Sequence, residues 1–146
     1  MAGTALFSHN SELAKELLTV ARLLDTEVKV LSINDEPQAE LMAGLGANVF
    51  QISNEVSKWD TGATAATIVS AARVLGVNTI ILSSDRRGKE LAGRVAQKFG
   101  AGCLTDIKAV HVTSVNFECE RNAFGGATLA NQVITSENKV MAISPR

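Results

Sequence analysis

Asn78-Thr-Ile-Ile-Leu-Ser-Ser-Asp-Arg-Arg-Gly88 passes from a short β-forming run into a polar turn, and Lys89 to Phe99 then repeats apolar residues at helical spacing. Thr79 to Ser83 is uninterrupted by charge, as expected of a strand covered on both faces, so it predicts a central strand. Leu91, Ala92, Val95, Ala96 and Phe99 make one apolar stripe, closed by Gly100 and Gly102. Strand, turn and helix in that order are the repeating unit of an α/β sheet.

The same grammar extends toward the N-terminus. Thr4–Phe7 and Val28–Ile33 read as buried strands around a helix, Ser11 to Leu24, in which Leu13, Leu17, Val20 and Leu24 recur at three- and four-residue spacing. Pro37 suits a first helical turn, which lacks intrahelical partners for its N–H groups, and the helix it opens should stop near Gly44 or Gly46 before a strand at Asn48–Ile52. Periodicity lapses from Asn54 to Gly62, a surface loop holding the only tryptophan, Trp59. Ala63 to Leu75 is a further helix, with Gly76 as its stop.

After Thr105 the helical spacers vanish. Ile107–Val112, Val115–Arg121, Ala127–Thr135 and Lys139–Ser144 read as antiparallel hairpins, with turns at Thr113-Ser114, Gly125-Gly126 and Glu137-Asn138. The expected fold is therefore a three-layer α/β architecture: an open, mostly parallel sheet with helices on both faces and a C-terminal antiparallel hairpin extension. No Pro/Ser-rich linker divides residues 1–146, and 146 residues match one domain.

Composition narrows the function classes. Fourteen basic against fifteen acidic residues leave a net charge of −1, without the cationic excess that phosphate neutralisation demands, so nucleic acid is not an expected partner. The most apolar window, Ala63 to Val77, is broken by Thr64, Thr67, Ser70 and Arg73 and is too short to span a bilayer. Two cysteines and no basic, apolar leader point to the reducing cytoplasm.

Few residues offer chemistry. The segment after the first strand, Phe7-Ser-His-Asn-Ser-Glu12, lacks the glycines of a dinucleotide fingerprint, and Gly88-Lys89 is followed by Glu90 rather than the hydroxyl of a phosphate loop. His9, Cys103, His111 and Cys119 lack zinc-type spacing, and Glu118 and Glu120 beside Cys119 oppose a reactive thiolate. Ser8, His9 and Ser11 are read as a loop and a helix cap, since no acidic orienter stands with them. The best ligand or partner loop is Ser83, Ser84, Asp85, Arg86, Arg87 and Gly88, at a strand C-terminus opening a helix that favours anions. Its plainer reading has Asp85 or Ser84 capping the helix and Arg86 and Arg87 in solvent. Trp59 is either a partner anchor or folded under its own loop.

Asn78 to Asp106, with its strand, polar turn carrying Gly88-Lys89, helix with Arg94-Val-Ala96 and closing Thr105-Asp106, resembles the N-terminal domain of the electron transfer flavoprotein alpha subunit. Leu45-Gly-Ala-Asn-Val49, Asn122-Ala-Phe-Gly-Gly-Ala127 and Lys139-Val-Met-Ala-Ile-Ser-Pro-Arg146 extend the resemblance over most of the chain. It implies an adenine-nucleotide alpha-hydrolase-like sheet and a connection to FAD-dependent electron transfer. Family members continue into a second, FAD-binding domain that residues 1–146 are expected to lack, so the resemblance implies no tight FAD binding by this chain alone.

The expected role is subunit association with a beta-subunit-like protein or in a homo-oligomer, without catalysis. The alternative is a stand-alone adenine-nucleotide or other small-molecule binder using Ser83 to Gly88. Phe124, beside Gly125-Gly126, either joins the interface or covers the sheet's end.

Overall fold

The computed structural model describes residues 3–25, 27–113, 116–123 and 128–145. Its elements run β1 (Thr4–Phe7), α1 (Ser11–Leu24), β2 (Val28–Ile33), α2 (Glu36–Gly44), β3 (Asn48–Ile52), α3 (Thr61–Leu75), β4 (Thr79–Ser83), α4 (Arg86–Phe99), β5 (Gly102–Val112), β6 (Phe117–Ala123), β7 (Thr128–Val133) and β8 (Lys139–Ile143). Each helix starts where a side chain accepts orphan N–H groups: Asn10, Asp35, Asp60 and Asp85 cap α1 to α4. Gly76 and Gly100 end α3 and α4 with φ of 69° and 64°, a conformation costly for residues with a Cβ. Helix α3 begins two residues earlier than its apolar pattern, because Asp60 is the cap and Thr61 and Gly62 fill the first turn.

All strands join one sheet in the order β3-β2-β1-β4-β8-β5-β6-β7. Pairings from β3 through β5 are parallel, and β5-β6 and β6-β7 are antiparallel. The expected fold class therefore stands, with β4 central between β1 and β8. One strand departs from expectation. Lys139–Ile143 does not form a hairpin with β7; it returns to the middle of the sheet and runs parallel to both β4 and β5. Glu137-Asn138 accordingly lies in a return connection, not a hairpin turn. Asn138 fastens that connection, donating from Nδ2 to Phe99 O at 3.1 Å and accepting Gly102 N–H at 3.3 Å.

Alternation along the strands builds two cores. Ala5, Phe7, Ile80, Leu82, Val140 and Ala142 face α3 and α4, whereas Leu6, Ile81, Met141 and Ile143 pack with α1 and Met42 of α2. Strand β5 starts well before Ile107; its register shifts against β8 between Leu104 and Ile107, where Asp106 has φ 55°, and against β6 between Ile107 and Ala109. The Gly125-Gly126 turn and Phe124 lie outside the described residues.

Ile81, fully buried at the centre of the sheet, tests this placement. Ile81→Ala is expected to cost about 2–5 kcal/mol in urea denaturation, while Leu129→Ala on exposed β7 stays within roughly 0.5 kcal/mol of wild type.

Candidate functional site

Parallel strands aim their C-terminal ends at one rim of a sheet, and in open α/β sheets the ligand crevice opens there, where strand order reverses. That point lies between β1 and β4. Buried Ser8 and Ser83 meet across it, Oγ to Oγ 3.0 Å apart. Ser83 Oγ donates to Asp85 Oδ1 at 2.8 Å, and the same carboxylate oxygen accepts Gly88 N–H at 3.2 Å. Behind Ser8, Gln38 Nε2 donates to its carbonyl at 2.9 Å and Asn10 N–H to its hydroxyl at 3.2 Å. About 10 Å³ remains between these groups, the lower bound for one water. Gly88 permits this closeness, since a Cβ there would lie 1.7 Å from Ser83 O and 2.6 Å from Asp85 Oδ1.

The turn residues have separate tasks. Asp85 is the cap of α4. Ser84 instead ties strands together: its N–H donates to Ile143 O at 2.7 Å and its Oγ accepts Asp106 N–H at 2.9 Å. Lys89 Nζ reaches Asp106 Oδ1 at 3.1 Å. Arg86 is exposed, as the capping reading holds, but Arg87 is not free in solvent. Its guanidinium donates to Lys58 O and lies 4.5 Å from the centre of the Trp59 ring. A planar cation gains from the electron-rich ring face, which explains the correction. Trp59 is 72% exposed, so it is not folded under its own loop.

A larger space opens beside the closed crevice. His9, Asn34, Asp35, Lys58 and Thr64, with Ile33 and Val56 as apolar walls, line a cavity of about 370 Å³ at the ends of β1 and β2. Asn34 has φ 53°, a conformation asparagine tolerates better than most residues. Its Nδ2 donates to Asn54 Oδ1 at 2.7 Å and its Oδ1 accepts Asn54 N–H at 2.7 Å, clamping the loops after β2 and β3 together. Asp35 Oδ1 accepts Gln38 N–H at 3.1 Å. His9 meets Phe7 edge-on at 4.9 Å. Burial, then the positive charges of Arg87 and Lys58, outweigh Asp85 and Asp35 and lower its pKa to about 4, so the imidazole is neutral at neutral pH.

Sequence reading missed Asn34, Asp35, Lys58 and Thr64 because they follow different strands and share no local motif. Their common signal is position, each lying beyond a strand end or at a helix start. His9 does belong to a loop, but Asn10 rather than Ser11 caps α1, accepting the N–H groups of Glu12 and Leu13. Among the described residues no cluster of three His, Cys, Asp or Glu side chains stands ready for a metal. Cys119 is fully buried 3.7 Å from Met141 Sδ, and burial, rather than its glutamate neighbours, pushes its thiol up to about 11. No described helix is long and apolar enough to cross a membrane.

Residues 8–146 match the electron transfer flavoprotein domain. The chain belongs to that family. The electron transfer flavoprotein subunit alpha of Syntrophomonas wolfei subsp. wolfei is 27% identical over 154 residues, covering 99% of this chain and 49% of that protein. Protein FixB of Escherichia coli O81 is 26% identical over 141 residues, covering 95% and 45% respectively. The chain thus spans about half the length of the curated relatives it matches, and it is an alpha-related N-terminal domain of the electron transfer flavoprotein type. The family is flavin-associated. FAD needs a long cleft and backbone N–H groups free to meet its pyrophosphate. In this electron transfer flavoprotein domain Ser83 and Asp85 fill the crevice, and the neighbouring cavity is near the low end of ligand-pocket volumes, so neither of these two spaces fits FAD.

Two measurements probe the rim. Gly88→Ala is expected to lower stability by about 2 kcal/mol or more, because neither backbone neighbour can yield. Gly93→Ala in the same helix, with no atom near its Cβ, should instead raise stability by roughly 0.5–1 kcal/mol. For His9 the unfolded chain protonates first, so its stabilising effect is full above the unfolded pKa of 6.5 and is lost as pH falls toward about 4. Denaturation at pH values above and within that window should show a smaller loss in His9→Asn than in wild type.

Proposed function

We propose that this chain is the partner-holding part of a flavin-dependent electron-transfer assembly in the cytoplasm, with no reaction of its own. Its partner is a beta-subunit-like protein, and the flavin is held outside residues 1–146. The observation that carries this reading is the family match over nearly the whole chain, joined by relatives named as an alpha subunit and as FixB.

The antiparallel ribbon supports it. Leu129 and Val133, two residues of one face of β7, are 60% and 40% exposed, and Val112 at the end of β5 is 53% exposed. Strand β7 is also the sheet's outer edge, with one flank unpaired among the described residues. Exposed apolar side chains beside an open edge are features of a surface that another chain covers. Within this reading Ser83 to Gly88 brace the start of α4. A nucleotide bound there would have to break the Ser8–Ser83–Asp85 chain, which already fills the crevice.

Mixed with the beta-type electron transfer flavoprotein subunit of its own source, the chain is expected to co-elute from a sizing column as one complex, and Leu129→Asp with Val133→Asp to abolish that peak. Alone it should elute colourless. Independent elution of the two wild-type proteins, or stoichiometric flavin retained by this chain alone, would overturn the proposal.

A further inference from the structure

Thr64 is 1% exposed, and its Oγ1 is buried without a hydrogen-bond partner among the described residues, alone among their buried side-chain nitrogens and oxygens. An unmade bond at a buried hydroxyl is costly, so such an atom asks for an explanation. Its own helix does not supply one. Thr67, nearly one turn further along α3, donates to the carbonyl of Ala63 at 2.9 Å, whereas Thr64 makes no such bond to Asp60. Thr64 lies on the wall of the 370 Å³ cavity at the ends of β1 and β2.

The charges around that cavity are unequal in their engagement. Asp35 and Asp85 spend a carboxylate oxygen on N–H groups of α2 and α4. Arg87 is committed to Lys58 O and the Trp59 ring. The Lys58 ammonium is 5.2 Å from the centre of that ring and has no carboxylate within salt-bridge distance among the described residues, leaving it available to an anion. His9, neutral at neutral pH, adds one donor and one acceptor, and Ile33 and Val56 add apolar walls. The volume suits a compact molecule rather than a dinucleotide.

We propose that the cavity between His9, Asn34, Lys58 and Thr64 binds a small organic anion, a carboxylate or a phosphate monoester. Lys58 meets the anionic group, and the Thr64 hydroxyl donates to an oxygen of the ligand. The site is distinct from the closed crevice between Ser8, Ser83 and Asp85, although Arg87 of that turn holds Lys58 O, and from the β7 face, and it does not rest on the electron-transfer reading.

Titration calorimetry on the whole chain with succinate, with phosphoglycolate and with inorganic phosphate tests it. At least one organic anion is expected to bind saturably, and more tightly than inorganic phosphate, which lacks a body for the apolar walls. Thr64→Val, the same shape without the hydroxyl, should weaken that binding roughly threefold to tenfold while melting no lower than wild type. Lys58→Met, at an exposed position, should weaken it comparably and keeps the test valid if Thr64→Val fails to fold. Absence of saturable binding by both organic anions would overturn the proposal. So would inorganic phosphate binding as tightly as they do, or wild-type affinity retained in either folded variant.

Discussion

Strand β8 is the element on which the sheet depends. It lies between β4 and β5, parallel to both, and its five residues run from half-buried Lys139 to four buried apolar side chains. Val140 and Ala142 complete the core under α4, and Met141 and Ile143 complete the core on the α1 face. Its backbone pairs on one side with β4 of the parallel half and on the other with β5, from which the antiparallel ribbon continues. The rim inherits this geometry, because Ser84 continues the pairing onto Ile143 and thereby presents its hydroxyl to Asp106.

Around the rim the same chemistry has opposite results a few ångströms apart. Between β1 and β4, the Ser8 and Ser83 hydroxyls and one Asp85 carboxylate oxygen are partnered within the chain, and the close approach of α4 over Ser83 leaves no room for anything larger than water. Between β1, β2 and the start of α3, the Asn34–Asn54 clamp ties the loops after β2 and β3 to each other on one side of an open cavity, and a hydroxyl and an ammonium are left without strong partners. Satisfied polar networks rigidify a structure, whereas unsatisfied ones store free energy that a ligand can release. The first space therefore serves the fold.

Much of this was legible in the residues themselves. Helix stripes, Pro37 and the glycine stops placed α1 to α3 within two residues or so, and the polar turn before Gly88 placed the start of α4, because those signals are local. The resemblance motif has a physical basis as well: Lys89 and Asp106, in separate pieces of it, form an ion pair, and Ser84 anchors the backbone of the second piece. Strand β8 was misread because Ser136-Glu137-Asn138 looks like a tight turn, and which strands pair depends on contacts distant in sequence. Its lack of polar alternation was the available sign of a strand covered on both faces. Within the rim, Asp85 as a cap followed from its position before a helix, but the contact of Arg87 with Trp59 depended on a loop 28 residues upstream in the chain, and no periodicity predicts such a meeting.

The place of β8 also sets an order on assembly. A chain emerging from the ribosome presents β1 to β4 and their helices first, then a ribbon of β5, β6 and β7 whose link to the rest of the sheet has not yet been made. Until residues 139–143 are free, β4 and β5 each carry an open parallel edge facing a gap one strand wide. Local hairpins form quickly, but closing this gap requires a segment that must pass back across the ribbon. The nascent protein is thus most exposed to mispairing with neighbouring chains in the interval before residues 139–143 emerge, and a copy lacking those five residues retains two adhesive edges in place of a continuous sheet.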